Sequence, residues 1–261
     1  MLLVTGGTGY VGSQICKILR ETKIDFRILS RNDGPLRVKH DLLSGNENEL
    51  REITRQYKRI IHCAWFVERN EYLQSTKNFD WIKASLKLAS CLDGKVVKHF
   101  LALGTCLEYA PSTTVKNVDS PIEATSNYSL SKTLTYRGLS FILSQKKIPF
   151  AWCRLFHMYG GEEQPAKLIP SITEALRTSK PIVIKNSDQL IDLSHVSSIA
   201  SDIVRLSENY QGIFNLCSGK GGTVEQHIRA RFPADDLNKL VEFRTSREIP
   251  NNLSGIRNAP V

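Results

Sequence analysis

Several things are missing from this 261-residue sequence. No stretch approaches the roughly 20 uninterrupted apolar residues that a membrane span needs. No basic leader precedes a long apolar run at MLLVTGG, so no secretory signal is expected. The six cysteines (Cys16, Cys63, Cys91, Cys106, Cys153, Cys217) stand singly, with no CxxC pair and no Cys/His cluster. That pattern argues against a disulfide framework and a zinc site, and for free thiols in a reducing cytosol. The expectation is a cytoplasmic protein with neither a metal nor a membrane partner. Lys and Arg number 35 against 26 acidic residues, a net charge of +9, yet no run of five or six basic residues and no RNA-binding aromatic motif occurs. Charge spread this thinly argues against a nucleic-acid partner and suits anionic cofactors or substrates. Internal repeats, low-complexity tracts and clear linkers are absent as well.

What is present is an ordinary globular composition, 41% apolar and 23% charged. Short apolar runs at Met1 to Val4, Phe26 to Leu29, Arg59 to His62, Val97 to Leu103 and Pro149 to Cys153 read as strands. Their near-continuous apolar character suits a parallel sheet covered on both faces. Between them Val11, Ile15, Ile18 and Leu19 repeat at helical spacing, as do Ile82, Leu86 and Ala89, and a further helix is expected from about Tyr128 to Gln145. After residue 155 the pattern loosens, until a helix (Ile199, Ile203, Leu206) and a strand (Ile213 to Leu216) return. The alternation predicts an α/β fold, a Rossmann-type doubly wound parallel sheet with a small discontinuous C-terminal lobe. Residues 1–155 form the core, 188–217 return to it, and 156–187 and 218–261 make the lobe.

Residues 5–12 read TGGTGYVG, directly after the first strand and before the first helix. Gly6, Gly9 and Gly12 give a GxxGxxG spacing. A dinucleotide site needs a tight turn, close backbone approach to a diphosphate and close helix-sheet packing, with helix N-terminal amides meeting the negative charge. At the end of the second strand an acid would select the ribose 2′-hydroxyl of NAD, whereas a basic residue accepts the 2′-phosphate of NADP. FRILSRND places Ser30 and Arg31 there, which favours NADP(H) and leaves NAD(H) possible.

Tyr128 and Lys132 form a YxxxK pair on one face of the predicted helix, with Leu130 and Leu134 pointing elsewhere. A neighbouring ammonium lowers a phenol's pKa, so such a pair can exchange a proton with a substrate oxygen. Thr105, in FLALGTCLEYA, stands at the end of an apolar strand, where parallel sheets place their ligands, and can hydrogen-bond a reacting carbonyl.

Taken in order, these segments resemble the extended short-chain dehydrogenases/reductases, and among them the NAD-dependent epimerase/dehydratase family that works on nucleotide sugars. TGGTGYVG resembles the family's TGxxGxxG loop, IHCAW (61–65) its HxAA segment, and LGTCLEYA its SSxxxYG segment. RLFHMYGGEE (154–163) resembles RxxNVYGPxx, DLSHV (192–196) resembles DFIHV, and FNLCSGKG the later NxGSG stretch. The resemblance implies Tyr128, Lys132 and Thr105 as catalytic residues. It implies cofactor contacts from Gly6, Thr8, Gly9, Tyr10, Val11 and Gly12; from Ser30, Arg31, Asp41 and Leu42; from Cys63, Ala64, Trp65 and Asn78; and from Lys132, Leu155 and His157. Substrate contacts fall to Thr105, Cys106, Tyr128, His157 and Lys167.

The departures are informative. Cys106 and Leu107 follow Thr105, where sugar-nucleotide dehydratases carry Asp-Glu, so dehydratase chemistry is not expected. His157 replaces the usual Asn, Ile191 an Arg that grips the substrate diphosphate, and Ser197 and Ser198 an Asp pair. The chain is short for the family, which implies a reduced substrate lobe. The resemblance thus implies an NADP(H)-dependent reductase of the 4-keto group of a nucleotide-activated 6-deoxy sugar, working as a homodimer. Two alternatives stay open: an NAD-dependent nucleotide-sugar 4-epimerase and a non-catalytic NADP-binding regulatory protein.

Overall fold

Strand β1 (Leu2–Thr5) is buried at every position, as a strand flanked by two parallel neighbours and covered on both faces must be. A computed structural model describes residues 1–68, 70–246 and 251–260. In chain order β1 is followed by α1 (Tyr10–Glu21), β2 (Phe26–Ser30), β3 (Arg37–Lys39), α2 (Glu47–Thr54), β4 (Arg59–His62), α3 (Lys77–Cys91) and β5 (His99–Thr105). Then come α4 (Asn127–Gln145), β6 (Phe150–Leu155), β7 (His157–Tyr159), α5 (Leu168–Thr178), β8 (Ile182–Ile184), β9 (Leu190–His195), α6 (Val196–Asn209) and β10 (Gly212–Leu216). The last elements are β11 (Gly221–Thr223), α7 (Val224–Arg229), α8 (Ala234–Leu240) and β12 (Val241–Phe243).

The main sheet has seven parallel strands in the order β10-β6-β5-β4-β1-β2-β3. From β1 the chain winds outward through β2 and β3, then starts again on the other side with β4. The strand order therefore reverses between β1 and β4, and a crevice opens at their carboxyl ends. Side chains alternate between the two faces. Leu2, Val4, Ile61 and Leu101 meet Ile15, Leu19, Ile199 and Ile203 of α1 and α6. Leu3, Ile60, Phe100 and Ala102 meet Leu50, Leu88 and Leu139 of α2, α3 and α4. This is the doubly wound fold expected from the apolar runs, with strand ends displaced by a residue or two.

Within residues 1–155, one strand and one α-helix escaped the sequence pattern. β3 is three residues, Arg-Val-Lys, and pairs only with β2 at the sheet edge. α2 is charge-rich, and its start is set by Asn46, whose side chain accepts from the amides of Asn48 and Glu49. Only Leu50 and Ile53 supply its apolar stripe.

The lobe has its own core, in which Ile172, Ile184, Leu193, Val224, Ile228 and Leu237 pack together. It is built on a three-stranded sheet, β11-β9-β7, and the pair β12-β8. Its core reaches Cys106 and Tyr109, immediately after β5. No helix among the described residues is long and apolar enough to cross a membrane.

Buried histidines tie the layers together. His62 ends β4 with its ring 2.7 Å from Thr5 Oγ1 and 2.9 Å from Ser85 Oγ, which joins β4 to β1 and α3. Burial, reinforced by the Lys132 ammonium, holds its pKa down to about 3. Burial lowers His99 as well, and takes His157 to about 4. These rings are neutral in the fold and free to charge in the unfolded chain, so the unfolded state binds more protons below about pH 6.5. Stability should therefore be full above that pH and fall on acidification toward pH 4. His62 alone removes about 1.4 kcal/mol per pH unit over that range. Urea unfolding between pH 7 and pH 4.5 measures the slope. A midpoint that does not move, or rises, on acidification would contradict the neutral-ring assignment.

Candidate active site

The glycine loop begins where β1 ends. Gly6 takes a left-handed φ of +68°, and a Cβ there would stand 2.6 Å from the Ala64 backbone nitrogen. Gly12 is equally constrained, since its Cβ would lie 2.1 Å from the Gly6 carbonyl oxygen. Gly9 differs. A Cβ on it would meet only the Gly6 oxygen, at 3.4 Å, so the space over it is open. Gly9 is also the N-cap of α1, with no side-chain cap and no acidic residue in the first turn. The first-turn amides and the positive end of the helix dipole thus face an open, uncovered cradle. A dinucleotide diphosphate fits these features. Thr8 is exposed at the rim, Val11 packs inward, and the Tyr10 hydroxyl donates to the Gly160 carbonyl at 2.9 Å, latching the segment after β7 onto the loop.

At the far end of the crevice, Ser30 closes β2 and accepts from the Asn32 amide at 3.2 Å. Arg31 is exposed. Asp33 is occupied by Lys39 at 3.0 Å. Burial pushes the Asp41 carboxyl up, but the Leu43 amide, the Ser44 hydroxyl and the Arg31 guanidinium together hold it below its usual range. Leu42 lies in the α2/α3 core.

The chemical end lies at the carboxyl end of β5. Thr105 is 6% exposed, and its hydroxyl accepts from the Leu107 amide at 3.3 Å. Its own amide donates to Glu108 Oε1 at 2.9 Å. Glu108 is fully buried, and it also accepts from Trp152 Nε1 and from Arg154 Nε at 2.9 Å. Helix α4, capped by Ser126, carries Tyr128 and Lys132 one turn apart. Lys132 Nζ donates to the Leu103 carbonyl at 2.8 Å and sits 3.6 Å from the centroid of the Trp65 indole. Burial lowers its pKa to about 7.

Tyr128 departs from the sequence expectation. Burial pushes its phenol well above the ordinary value, Tyr72, Glu108 and Cys106 add to the rise, and only a hydrogen bond with Thr105 works against it. The lysine does not lower this phenol in the unliganded chain, because its ammonium faces Leu103 and Trp65 instead. The neutral phenol is the form poised to donate a proton.

The glycine loop, residues 63–65, Thr105, Tyr128 and Lys132 thus converge on one crevice, with Leu155 paired beside Thr105 and Cys106 buried next to it. Burial raises the Cys106 thiol to about 12, which makes it inert rather than nucleophilic. Asn78 is fully buried, and its side chain is engaged by Trp65, Tyr72 and Ser75. His157 has a buried Nδ1 with no partner among the described residues. Lys167 is exposed ahead of α5, and its charge acts on His157 rather than on Tyr128. Sequence reasoning missed Tyr72, whose ring stands edge-on to Tyr128 at 5.0 Å. It lies in an irregular segment with no periodicity to announce it. Glu108 was in plain view in LGTCLEYA, but nothing in the string shows that its carboxylate turns back onto Thr105.

The model of the NAD dependent epimerase/dehydratase family matches residues 2–217. No curated protein sequence matches the chain. Among solved structures, MoeE5 in complex with UDP-glucose and NAD superposes with a TM-score of 0.80 at 18% identity, over 99% of this chain and 90% of that one. The UDP-N-acetylglucosamine 4-epimerase from Bacillus cereus gives 0.79 at 18% identity, over 95% and 89%. The dTDP-glucose 4,6-dehydratase DesIV from Streptomyces venezuelae, with NAD and TYD bound, gives 0.78 at 17% identity, over 98% and 88%. At these identities the likeness is one of fold.

The open space over Gly9 is directly testable. Gly9→Val should fold normally, since its φ of −84° and ψ of 175° suit a β-branched residue. It should nevertheless lose nicotinamide dinucleotide binding, because the side chain fills the cradle. Calorimetry on a variant with parental melting measures this, and undiminished affinity would show that the loop does not hold the diphosphate.

Proposed function

This chain belongs to the NAD dependent epimerase/dehydratase family, and from that premise we propose that it is an NADP(H)-dependent reductase of the 4-keto group of a nucleotide-activated 6-deoxy sugar. The observation that carries the reading is the meeting of Thr105, a protonated Tyr128 and the Lys132 ammonium at the carboxyl end of β5. Cys106 and Leu107 support reduction over dehydration, since neither supplies a carboxyl group next to Thr105 to expel water.

The parts of the chain divide the work. Gly6, Gly9 and the first turn of α1 would hold the diphosphate, Ser30 and Arg31 the adenosine 2′-phosphate, and Lys132 the nicotinamide ribose. A reduced nicotinamide dinucleotide, when bound, supplies the hydrogen and both electrons that the carbonyl carbon gains. The Thr105 hydroxyl binds the carbonyl oxygen and stabilises the negative charge growing there. Tyr128 gives its phenolic proton to that oxygen, completing the alcohol. Its high pKa keeps the proton available at neutral pH. His157 and Lys167 belong to the sugar-nucleotide side of the reading.

The reading extends to a cytoplasmic homodimer. Leu130, Leu134 and Phe141 stand exposed along α4, Phe141 at 68%. These three side chains lie on one face of the helix and offer it to a second copy. Sedimentation at the mass of a single chain would remove this part of the reading.

Two variants separate chemistry from cofactor choice. Tyr128→Phe removes one oxygen, so NADPH affinity should persist while reduction of 4-keto-6-deoxy nucleotide sugars falls about 10²- to 10⁴-fold. Arg31→Ala should weaken NADPH in calorimetry and leave NADH almost unchanged. A Tyr128→Phe protein working at the parental rate would overturn the mechanism, and equal losses for both cofactors would overturn the NADP preference.

A further inference from the structure

Lys132 is only 5% exposed, yet among the described residues its ammonium has one oxygen partner, the Leu103 carbonyl. An ammonium has three N–H donors, and burying it with so few partners is costly. The missing partner is a ring. The face of Trp65 lies 3.6 Å from Nζ, closer than Tyr128, whose ring centroid is at 5.8 Å. This indole stands at the last position of the HxAA-like segment, in place of a small side chain. It is also fastened. Trp65 Nε1 donates to Asn78 Oδ1 at 2.9 Å, and Asn78 Nδ2 donates to the carbonyls of Tyr72 at 2.6 Å and Ser75 at 2.8 Å. Asn78 itself is fully buried in the first turn of α3. A buried amide therefore clamps the indole in one orientation over the cation.

We propose that Trp65 is a positioning residue whose clamped indole face caps the Lys132 ammonium, holding it charged and aimed at the dinucleotide site. The ring's negative face offers the desolvated cation an attraction that water cannot provide there. Leu103 takes one N–H and the indole faces another, which leaves one for a ligand. The other titratable groups around Lys132 are Tyr128 on its own helix, Glu108 after β5, and His62 and Cys63 at the end of β4. Burial opposes the charged lysine and brings its pKa to about 7, while Glu108 favours it; the Cys63 thiol, pushed up by burial, stays neutral there. A buried cation with a single oxygen partner is one whose charge a fixed ring face helps to keep.

The inference rests on the dinucleotide reading for its purpose, but the contact belongs to the unliganded chain and is tested there. Lysine Nζ resonances are followed by NMR across pH in the parent, Trp65→Phe and Trp65→Leu proteins, with Lys132→Met assigning the signal. Trp65→Phe keeps an aromatic face, and its Lys132 should titrate close to the parent. Trp65→Leu keeps the apolar bulk without the face, and its Lys132 should titrate about 1 pH unit lower. NADPH affinity should then fall more at pH 8 than at pH 6 in the Leu variant alone. If Trp65→Leu does not fold, site-specific fluorination of the Trp65 indole keeps its shape while draining its face, and the same acid shift is expected. A Lys132 that titrates unchanged, or higher, in the Leu or fluorinated protein overturns the proposal. A parent that binds neither NADPH nor NADH overturns the dinucleotide reading instead, and leaves the titration to decide the role of Trp65.

Discussion

The backbone of Gly6 comes so close to that of Ala64 that no side chain fits between them, and the rest of the site depends on this contact. β1 and β4 are neighbours in the sheet, and the chains leaving them would diverge unless something drew them together. Gly6 bends back in the left-handed region, Gly12 seats the start of α1 on the Gly6 carbonyl, and the mouth over Gly9 is left open. The same contact fixes where the segment after β4 begins its path. Trp65, the residue after Ala64, is thereby delivered over Lys132. The dinucleotide cradle and the setting of the lysine share one backbone approach.

The second organising element is the buried carboxylate of Glu108. A charge with no exposure survives only when its oxygens are met by donors. Here they are met by the Thr105 amide, the Trp152 indole and the Arg154 guanidinium. Arg154 in turn donates to the Tyr109 hydroxyl at 3.0 Å, and Tyr109 donates to Asn215 at 2.6 Å. The network runs from the end of β5 across β6 to β10, and it holds the turn that presents Thr105 to the crevice. Removing one partner of a buried pair leaves an uncompensated charge and typically costs about 3–5 kcal/mol. Precise placement of Thr105 is what this arrangement supplies.

Legibility in the sequence followed the range of the interaction. The glycine loop could be read because each glycine answers a local backbone demand, and the main strands because burial on both faces leaves an apolar run. The one-turn spacing of Tyr128 and Lys132 is also local. β3 carried no such mark, because a three-residue edge strand needs no apolar core. The direction of the Tyr128 pKa shift ran opposite to the expectation, since spacing shows that a lysine is near but not that burial dominates and that its ammonium faces Leu103 and Trp65. The carboxylate of Glu108 folding onto Thr105, the edge of Tyr72 on Tyr128 and the face of Trp65 on Lys132 all join segments whose meeting is decided by the whole sheet. Asn78 illustrates the limit well. The sequence pointed to a helical asparagine of consequence, and only the fold shows its amide clamping an indole.

In the proposed reaction this crevice passes a hydrogen from the nicotinamide to a sugar carbonyl carbon while Tyr128 supplies the proton. The most direct measurement is isotopic. The protein is incubated with NADPH deuterated at the nicotinamide C4 position, in each stereochemical form, and with nucleotide-linked 4-keto-6-deoxy sugars, and the products are read by mass spectrometry and NMR. One deuterium is expected, bound at sugar C4, from one of the two labelled forms only, with stoichiometric formation of NADP⁺. A sugar product carrying no deuterium, or turnover with no net oxidation of the cofactor, would contradict it.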